Sequence, residues 1–472
     1  MLLLPLMIAC SEPEAPVEAD VRVDHTTPGG AVASQSPSSC VARNGRTYVA
    51  WEDDREGAPS IRANASMDAA QTWQMSDARL DQGSVGAWNP SLACQGERAW
   101  VAWEDARDGE LENRNIYLSL TTDGGRHWSE AEVMLDDDVE GRAMSLGPRV
   151  VAAGDRVVVA WFDNRDGAYD IYVRSSTDEG RTWNGSPVRV DTDDAGEAWS
   201  AWPQLALDED GTVVVTWEDS RDGVSDVRVN TSTDGGLSFG RDVQLDTGAQ
   251  PANSFLPQIA RSGTRVYVTW HDERSGAGRD VLLSSSSDGG YSWLPEPVRL
   301  DTDSPGMSDS LNPALAADGD RVHIVWQDDR SGGYDILLRS SVDGGATWSD
   351  ETRLDGDAPG VAQSYEPVVR VLGTTLVAAW TDRRNDTAEV GFDDLYYAYS
   401  EDSGGGWNSG ALRINANEPG SAWARDMDLH LRSDGLVAVW ADGRTGSSDI
   451  LAAHRALGEE GVWVPPEPED GR

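Results

Sequence analysis

The sequence repeats itself, and the length of the repeat limits what the chain can become. An octet of the form S/T-x-D-x-G-x-x-W recurs as "TTDGGRHW" at 121–128, "STDEGRTW" at 176–183, "SSDGGYSW" at 286–293 and "SVDGGATW" at 341–348. Its aspartates are Asp68, Asp123, Asp178, Asp234, Asp288, Asp343 and Asp402, at spacings of 55, 55, 56, 54, 55 and 59. In such a turn a short carboxylate accepts hydrogen bonds from backbone N–H groups ahead of it, Gly takes positive φ, and the closing aromatic packs inward. Two copies are imperfect, with Ala70 in place of the Gly and Phe239 in place of the Trp.

A second signature, W-x-D-x-R, runs in step and occurs eight times, with Trp51, Trp103, Trp161, Trp217, Trp270, Trp326, Trp380 and Trp440. Each period holds four short β-rich runs: one after a Pro, the "VAW" run, a "DIY" run and a "VRLD" run. Four antiparallel strands every 50 to 60 residues mark a β-propeller blade. The chain is therefore expected to be all-β, an eight-bladed propeller over residues 20–464. The last unit has an eroded octet at 458–463, whereas "DVRVD" at 20–24 is a fourth strand without a preceding three. The simplest closure lets this N-terminal strand complete the eighth blade and remove open sheet edges.

Composition narrows the partners. Acidic residues outnumber basic ones by 82 to 38, all basic residues are Arg, and the formal charge is −44. Such a surface repels phosphate backbones and anionic lipid, which argues against nucleic acid and anionic membrane as partners and leaves cations and neutral glycans open. The apolar start "MLLLPLMIAC" resembles the end of a bacterial lipoprotein signal, with Cys10 as the lipidated residue, although no positive segment precedes it. On that reading residues 1–10 are signal, 11–19 an acidic tether and 465–472 an acidic tail. The protein would then be a secreted or envelope-anchored monomer that meets membrane only through lipid. Cys40 and Cys94 fall near equivalent places in the first two repeats. An oxidising compartment would allow a bridge, but their offsets from the local Pro differ by one residue, which on one strand means opposite faces and disfavours it.

The octet is similar to the Asp-box, also called the bacterial neuraminidase repeat, of the sialidase superfamily. The resemblance covers nearly the whole chain and implies the fold more than an activity, because related propellers bind or cleave varied glycans. It implies that the octets lie opposite the ligand face and are structural. True sialidases carry an early F/Y-R-I-P motif, an Arg triad and a Tyr–Glu nucleophile pair, usually on six blades. Here the early blades read "SPSSCVA" and "NPSLACQ", and no triad can be assigned residue by residue.

Residues present in all blades are read first as structural, including the carboxylate–guanidinium pairs of W-x-D-x-R. Function is expected where blades differ, on the loops that join strand four to the next inner strand and share a face with the D-x-R loops. Candidate ligand-binding residues there are Trp88, Trp199, Trp202, Phe255, Tyr365 and Trp423, whose rings would stack on sugars. Arg142 and Arg425 would engage an acidic sugar, with Arg370 nearby, and His271 is unique within W-x-D-x-R. Tyr365 beside Glu366 looks like a Tyr–Glu pair, but neighbours on a strand face apart, so it is not taken as a catalytic dyad. Acidic runs at 136–138, 191–194, 301–303 and 355–357 are read first as solvated turns, although their oxygens would also suit calcium. No cofactor is otherwise expected. The residues leave a non-catalytic glycan- or protein-binding module, a sialidase-like exo-α-sialidase or other glycosidase, and a purely structural surface protein.

Overall fold

The computed structural model describes residues 19–26, 33–83, 85–107, 113–137, 143–248, 252–386 and 391–457. The predicted signal with Cys10, most of the tether, the eroded last octet, the tail and Arg142 lie outside them. All secondary structure among the described residues is β, in eight four-stranded antiparallel sheets. Among the described residues no helix is long and apolar enough to cross a membrane.

Blade one runs Ser34–Val41, Thr47–Asp53, Ser60–Ser66 and Ala78–Arg79, and the next six repeat that order. Blade eight comprises Ala424–Arg432, Gly435–Asp442 and Asp449–Arg455, and its fourth strand is Val21–Arg22, with Val21 opposite Ala452. The expected closure is thus present. Asp20 fixes it by bridging Arg444 and Arg455 at 2.7 and 2.8 Å, and Val23 is buried with Val49, Trp51 and Ile450 between blades one and eight.

The core lies between sheets. Second strands such as Thr47–Asp53 are buried along their whole length, because each blade has a neighbour on both faces, and so they read as unbroken apolar runs. All eight signature Trp side chains are fully buried. Each indole N–H donates to the Asp two residues on, at 2.9–3.4 Å. The following Arg caps the same carboxylate through Nη2 at 2.5–2.7 Å. Several of these guanidiniums also reach the outer strand of their own blade, as Arg55 to Asp77, Arg107 to Glu132 and Arg330 to Glu351. A buried indole donor and a bidentate ion pair together satisfy a carboxylate that would be costly to bury alone.

The octets turn from strand three to strand four on the opposite, lower face. In all seven the Asp accepts the backbone N–H four residues on, at 2.7–3.0 Å. The opening Ser or Thr hydroxyl accepts the N–H of the fifth residue, at 2.8–3.0 Å. In the first copy Ala70 takes φ +68°, the conformation Gly adopts elsewhere.

Cys40 and Cys94 are bridged, with S–S 2.04 Å, which overturns the expectation from their offset. The alternation argument holds within one sheet. These residues belong to inner strands of adjacent blades, Ser34–Val41 and Ala87–Gln95, which meet across opposite sheet faces. An odd offset therefore turns the two side chains toward each other.

Candidate ligand-binding site on the upper face

Each inner strand carries a β-bulge near its upper end, where the register against the second strand slips by one residue, as at Tyr365/Val368 and Arg425/Asp428. One residue of every bulge is left-handed: Ser36, Asn89, Gly147, Trp202, Leu256, Asn312, Glu366 and Asp426, with φ from 49° to 60°. Only one of the eight is Gly, so the others hold a strained conformation in place by surrounding contacts. The middle residue of the preceding blade's W-x-D meets this bulge. Glu52, Glu104, Glu218 and Gln327 accept the bulge N–H of Asn89, Gly147, Leu256 and Glu366 at 2.8–3.1 Å, and Phe162 instead packs on Trp202 at 5.2 Å. The frame is constant, and the residues it presents differ in every blade.

The most developed arrangement lies at blades six to eight. A cavity of about 290 Å³ is lined by Asn312, Gln327, Tyr334, Gln363, Tyr365, Glu366 and Arg383. At its edge the fully buried carboxylate of Asp393 receives the Nε–H of Arg383 on Oδ1 and that of Arg425 on Oδ2, both at 2.6 Å. The Tyr365 hydroxyl also donates to it. Arg383 lies over the Tyr365 ring at 5.1 Å and Arg425 over Trp423 at 5.8 Å. One carboxylate thus anchors two guanidiniums by one edge each. Their side chains remain 39% and 43% exposed; Arg383 also interacts with the Tyr365 hydroxyl, and one Nη of Arg425 is held by Gly391 O at 3.0 Å.

Burial, then the hydrogen bond to Asp393, pushes the Tyr365 phenol well above its ordinary range, so it stays protonated and donates. Burial likewise raises Glu366, with the Asp426 charge adding to it, and burial raises Asp426. Tyr365 and Glu366 line the same cavity, which corrects the expectation that they face apart. The left-handed bulge residue interrupts the alternation at that point.

Of the residues expected from sequence, Tyr365, Trp423 and Arg425 come together here. Trp88 lies elsewhere, beneath Arg114 at 4.1 Å. Trp199 packs into the core between blades three and four, while Trp202 is 48% exposed on Phe162. His271 is 5% exposed against Phe255, and burial lowers it to about 4, so the ring is a neutral packing element rather than a base. Arg370 points to Asp428 at 3.5 Å.

Arg383 and Asp393 were not among the expected residues. Arg383 is the only basic residue between the Asp and Arg of the eight W-x-D-x-R signatures, and Asp393 comes from the longest loop between strands two and three. Both signals are departures from the repeat.

No protein-family model matches the chain, and no curated protein matches it in sequence. Among solved structures it is similar to the Hadza microbial sialidase Hz136, with 17% identity, TM-score 0.37, and coverage of 71% of this chain and 74% of that one. It is also similar to an α-L-arabinanase of Penicillium chrysogenum complexed with arabinobiose, with 16% identity, TM-score 0.41 and coverage of 68% and 96%. A third is the polysaccharide lyase Uly1, with 10% identity, TM-score 0.49 and coverage of 77% and 88%. At these values the chemistry of the site rests on its own residues.

Proposed function

We propose that the protein is a glycan-binding propeller of Asp-box type whose upper face recognises an acidic sugar, and that it does so without cleaving it. The observation that carries this reading is the pair Arg383 and Arg425, each held through Nε by Asp393 and each partly exposed, on a chain of net charge −44. In a field that repels anions, two fixed guanidiniums are the feature that would select a carboxylate by paired hydrogen bonds. The Tyr334 and Tyr365 rings would take the sugar face, and the amides of Asn312, Gln327 and Gln363 its hydroxyls. The phenol of Tyr365 is held as a donor, which supports binding over nucleophilic attack.

A second reading, glycoside cleavage, is favoured by one observation. Glu366, whose carboxyl is pushed upward from its ordinary range, shares the cavity with Tyr365, and a carboxyl with a raised pKa beside a bound sugar is what a general acid needs. The envelope location, with lipidated Cys10 as anchor, is supported by the Cys40–Cys94 disulfide, a bond that persists in oxidising compartments. Titration calorimetry of the full chain with sialylated and uronate oligosaccharides and their neutral counterparts tests the binding, and a chromogenic sialoside panel tests the cleavage. Binding confined to the acidic ligands, with no chromophore released, is the expected result. Equal binding of neutral ligands would overturn the first reading, and turnover would establish the second.

A further inference from the structure

Apart from the cavity, the upper face repeats a second corner in which three positions converge: the first residue of strand three, and the second and fourth residues after the strand-four Arg. In blade three these are Asp170, Asp191 and Asp193, in blade five Asp280, Asp301 and Asp303, and in blade six Asp335, Asp355 and Asp357. Within each trio one oxygen per carboxylate lies within 4.8 Å of the others. The strand-four Arg faces each set, and in blade three Arg221 also approaches Asp193, at 3.7 Å. Arg189 Nη2 reaches the first trio at 2.9, 3.0 and 2.5 Å. Arg299 Nη2 reaches Asp280 and Asp303 at 2.9 and 2.6 Å as well as Asp301, and Arg353 Nη1 reaches the third trio at 2.7–3.4 Å. Three carboxyls against one or two guanidiniums crowd acid into a largely buried corner; burial and the neighbouring carboxylates push Asp191 and Asp301 up to about 8 and Asp355 up to about 7, a cost that a further cation would relieve.

Two observations show where that cation belongs. Each corner retains one buried carboxylate oxygen without a hydrogen-bond partner: Asp193 Oδ2, Asp280 Oδ2 and Asp357 Oδ2. The Asp280 side chain is 1% exposed, so water does not serve it from bulk. Blade seven supplies the contrast. There the three positions are Asp394, Asn415 and Asn417, with Arg413, so one negative charge meets one positive charge. Asn415 Nδ2 donates to Asp394 Oδ1 at 2.8 Å and to Asn417 Oδ1 at 2.6 Å. The loop keeps its form: Gly420 N–H bonds Asp394 at 3.0 Å, as Gly306 bonds Asp280 at 3.0 Å and Gly360 bonds Asp335 at 2.9 Å. In blade seven, where amide hydrogens close the corner, no carboxylate oxygen is left over; in blades three, five and six one is, and in blade four, where Asp226 and Asp246 stand with Gln244 in place of the Arg, two are.

We propose that the corners of blades three, five and six are calcium sites, one ion in each, bound opposite the arginine by the three carboxylates. The ligand set is all oxygen, lies on a loop and has no nitrogen or sulfur donor, which suits a hard ion with six to eight ligands at relaxed geometry better than magnesium, which demands an octahedron. Affinity of the order of 10⁻⁴–10⁻³ M is typical of extracellular modules.

The test is equilibrium dialysis of the full chain against millimolar calcium, with metal counted by mass spectrometry and melting followed with calcium, magnesium or chelator. Three calcium ions per chain are expected, with a higher melting temperature than in chelator and a smaller rise with magnesium. The double variant Asp301→Asn/Asp303→Asn has the composition blade seven already folds with, so it should keep its circular dichroism and retain two ions. No retained calcium and no melting shift would overturn the proposal, as would three ions in the double variant or an equal shift with magnesium.

Discussion

Blades six and seven are built on the same frame and present different chemistry. Trp326, Asp328 and Arg330 in one and Trp380, Asp382 and Arg384 in the other are buried and bonded alike, and the lower octets of both hold the same pair of bonds. On the lower face blade seven lacks the hydroxyl bond that Thr347 adds in blade six, Gly406 standing in its place; the differences that bear on the site lie on the upper face. Between Asp and Arg stands Asp329 in blade six and Arg383 in blade seven, and Asp335 follows Asp328 by seven positions where Asp394 follows Asp382 by twelve. That extra loop brings Asp393 under two arginines. What repeats makes the body rigid, and rigidity allows a single substitution on a loop to place a guanidinium where it is useful.

The comparison is broken most severely by removing a frame residue. Trp326→Ala empties a fully buried site and should cost about 3–5 kcal/mol in denaturant unfolding. A loss below about 1 kcal/mol would show that the repeated indole does not hold the blades. Next in size is the bridge between blades one and two. Cys40→Ser/Cys94→Ser should lower stability by about 2–4 kcal/mol while leaving ligand binding at blades six to eight unchanged, and altered affinity would mean that the two regions are coupled.

Acid gives a smaller and graded effect. Burial pushes His271 and His323 down to about 4. As pH falls, the unfolded chain takes up protons near 6.5 that the folded chain refuses, so their contribution to stability is full above 6.5 and declines from there toward 4. The octet carboxylates Asp178, Asp288 and Asp343 are held near 2 by hydroxyl and backbone N–H donors. Their contribution is present above the ordinary carboxylate range and is lost as pH falls through it toward 2. The histidines do not act alone in the upper window: burial pushes Asp191 and Asp301 up to about 8 and Asp226 and Asp355 up to about 7, so the folded chain takes up protons there that the unfolded chain does not, and this contribution grows as pH falls. Comparison with His271→Phe isolates the ring: the variant should lose less stability than the parent between pH 6.5 and 4, and melting temperatures of both should decline below 4 toward 2. A parent–variant difference that stays constant from 6.5 to 4 would contradict the burial of His271 as a neutral group.

The architecture was legible because it is written eight times: a Trp, an Asp and an Arg at fixed spacing sufficed for strand order, and the displaced "DVRVD" sufficed for closure. The site was legible in part. Tyr365, Trp423 and Arg425 stand out as aromatics and a cation in a variable loop, whereas Arg383 sits inside a repeated phrase and is passed over when the phrase is read as constant. Pairwise geometry was read least well. Strand alternation was applied to Tyr365 and Glu366 across a bulge, although the adjoining Pro367, poorly suited to an unbroken strand, marks the interruption. The same rule was applied to Cys40 and Cys94 across two sheets whose facing sides are opposite.

The claim that recurrence upholds the fold while departure from it meets the ligand is tested most directly with Arg383→Ala, by measuring acidic-oligosaccharide affinity and unfolding free energy on the same sample. The account predicts at least tenfold weaker binding with a stability loss of about 1–3 kcal/mol, since buried Asp393 keeps Arg425 and Tyr365 but loses one guanidinium. Undiminished affinity, or a loss of stability comparable to that of Trp326→Ala, would contradict it.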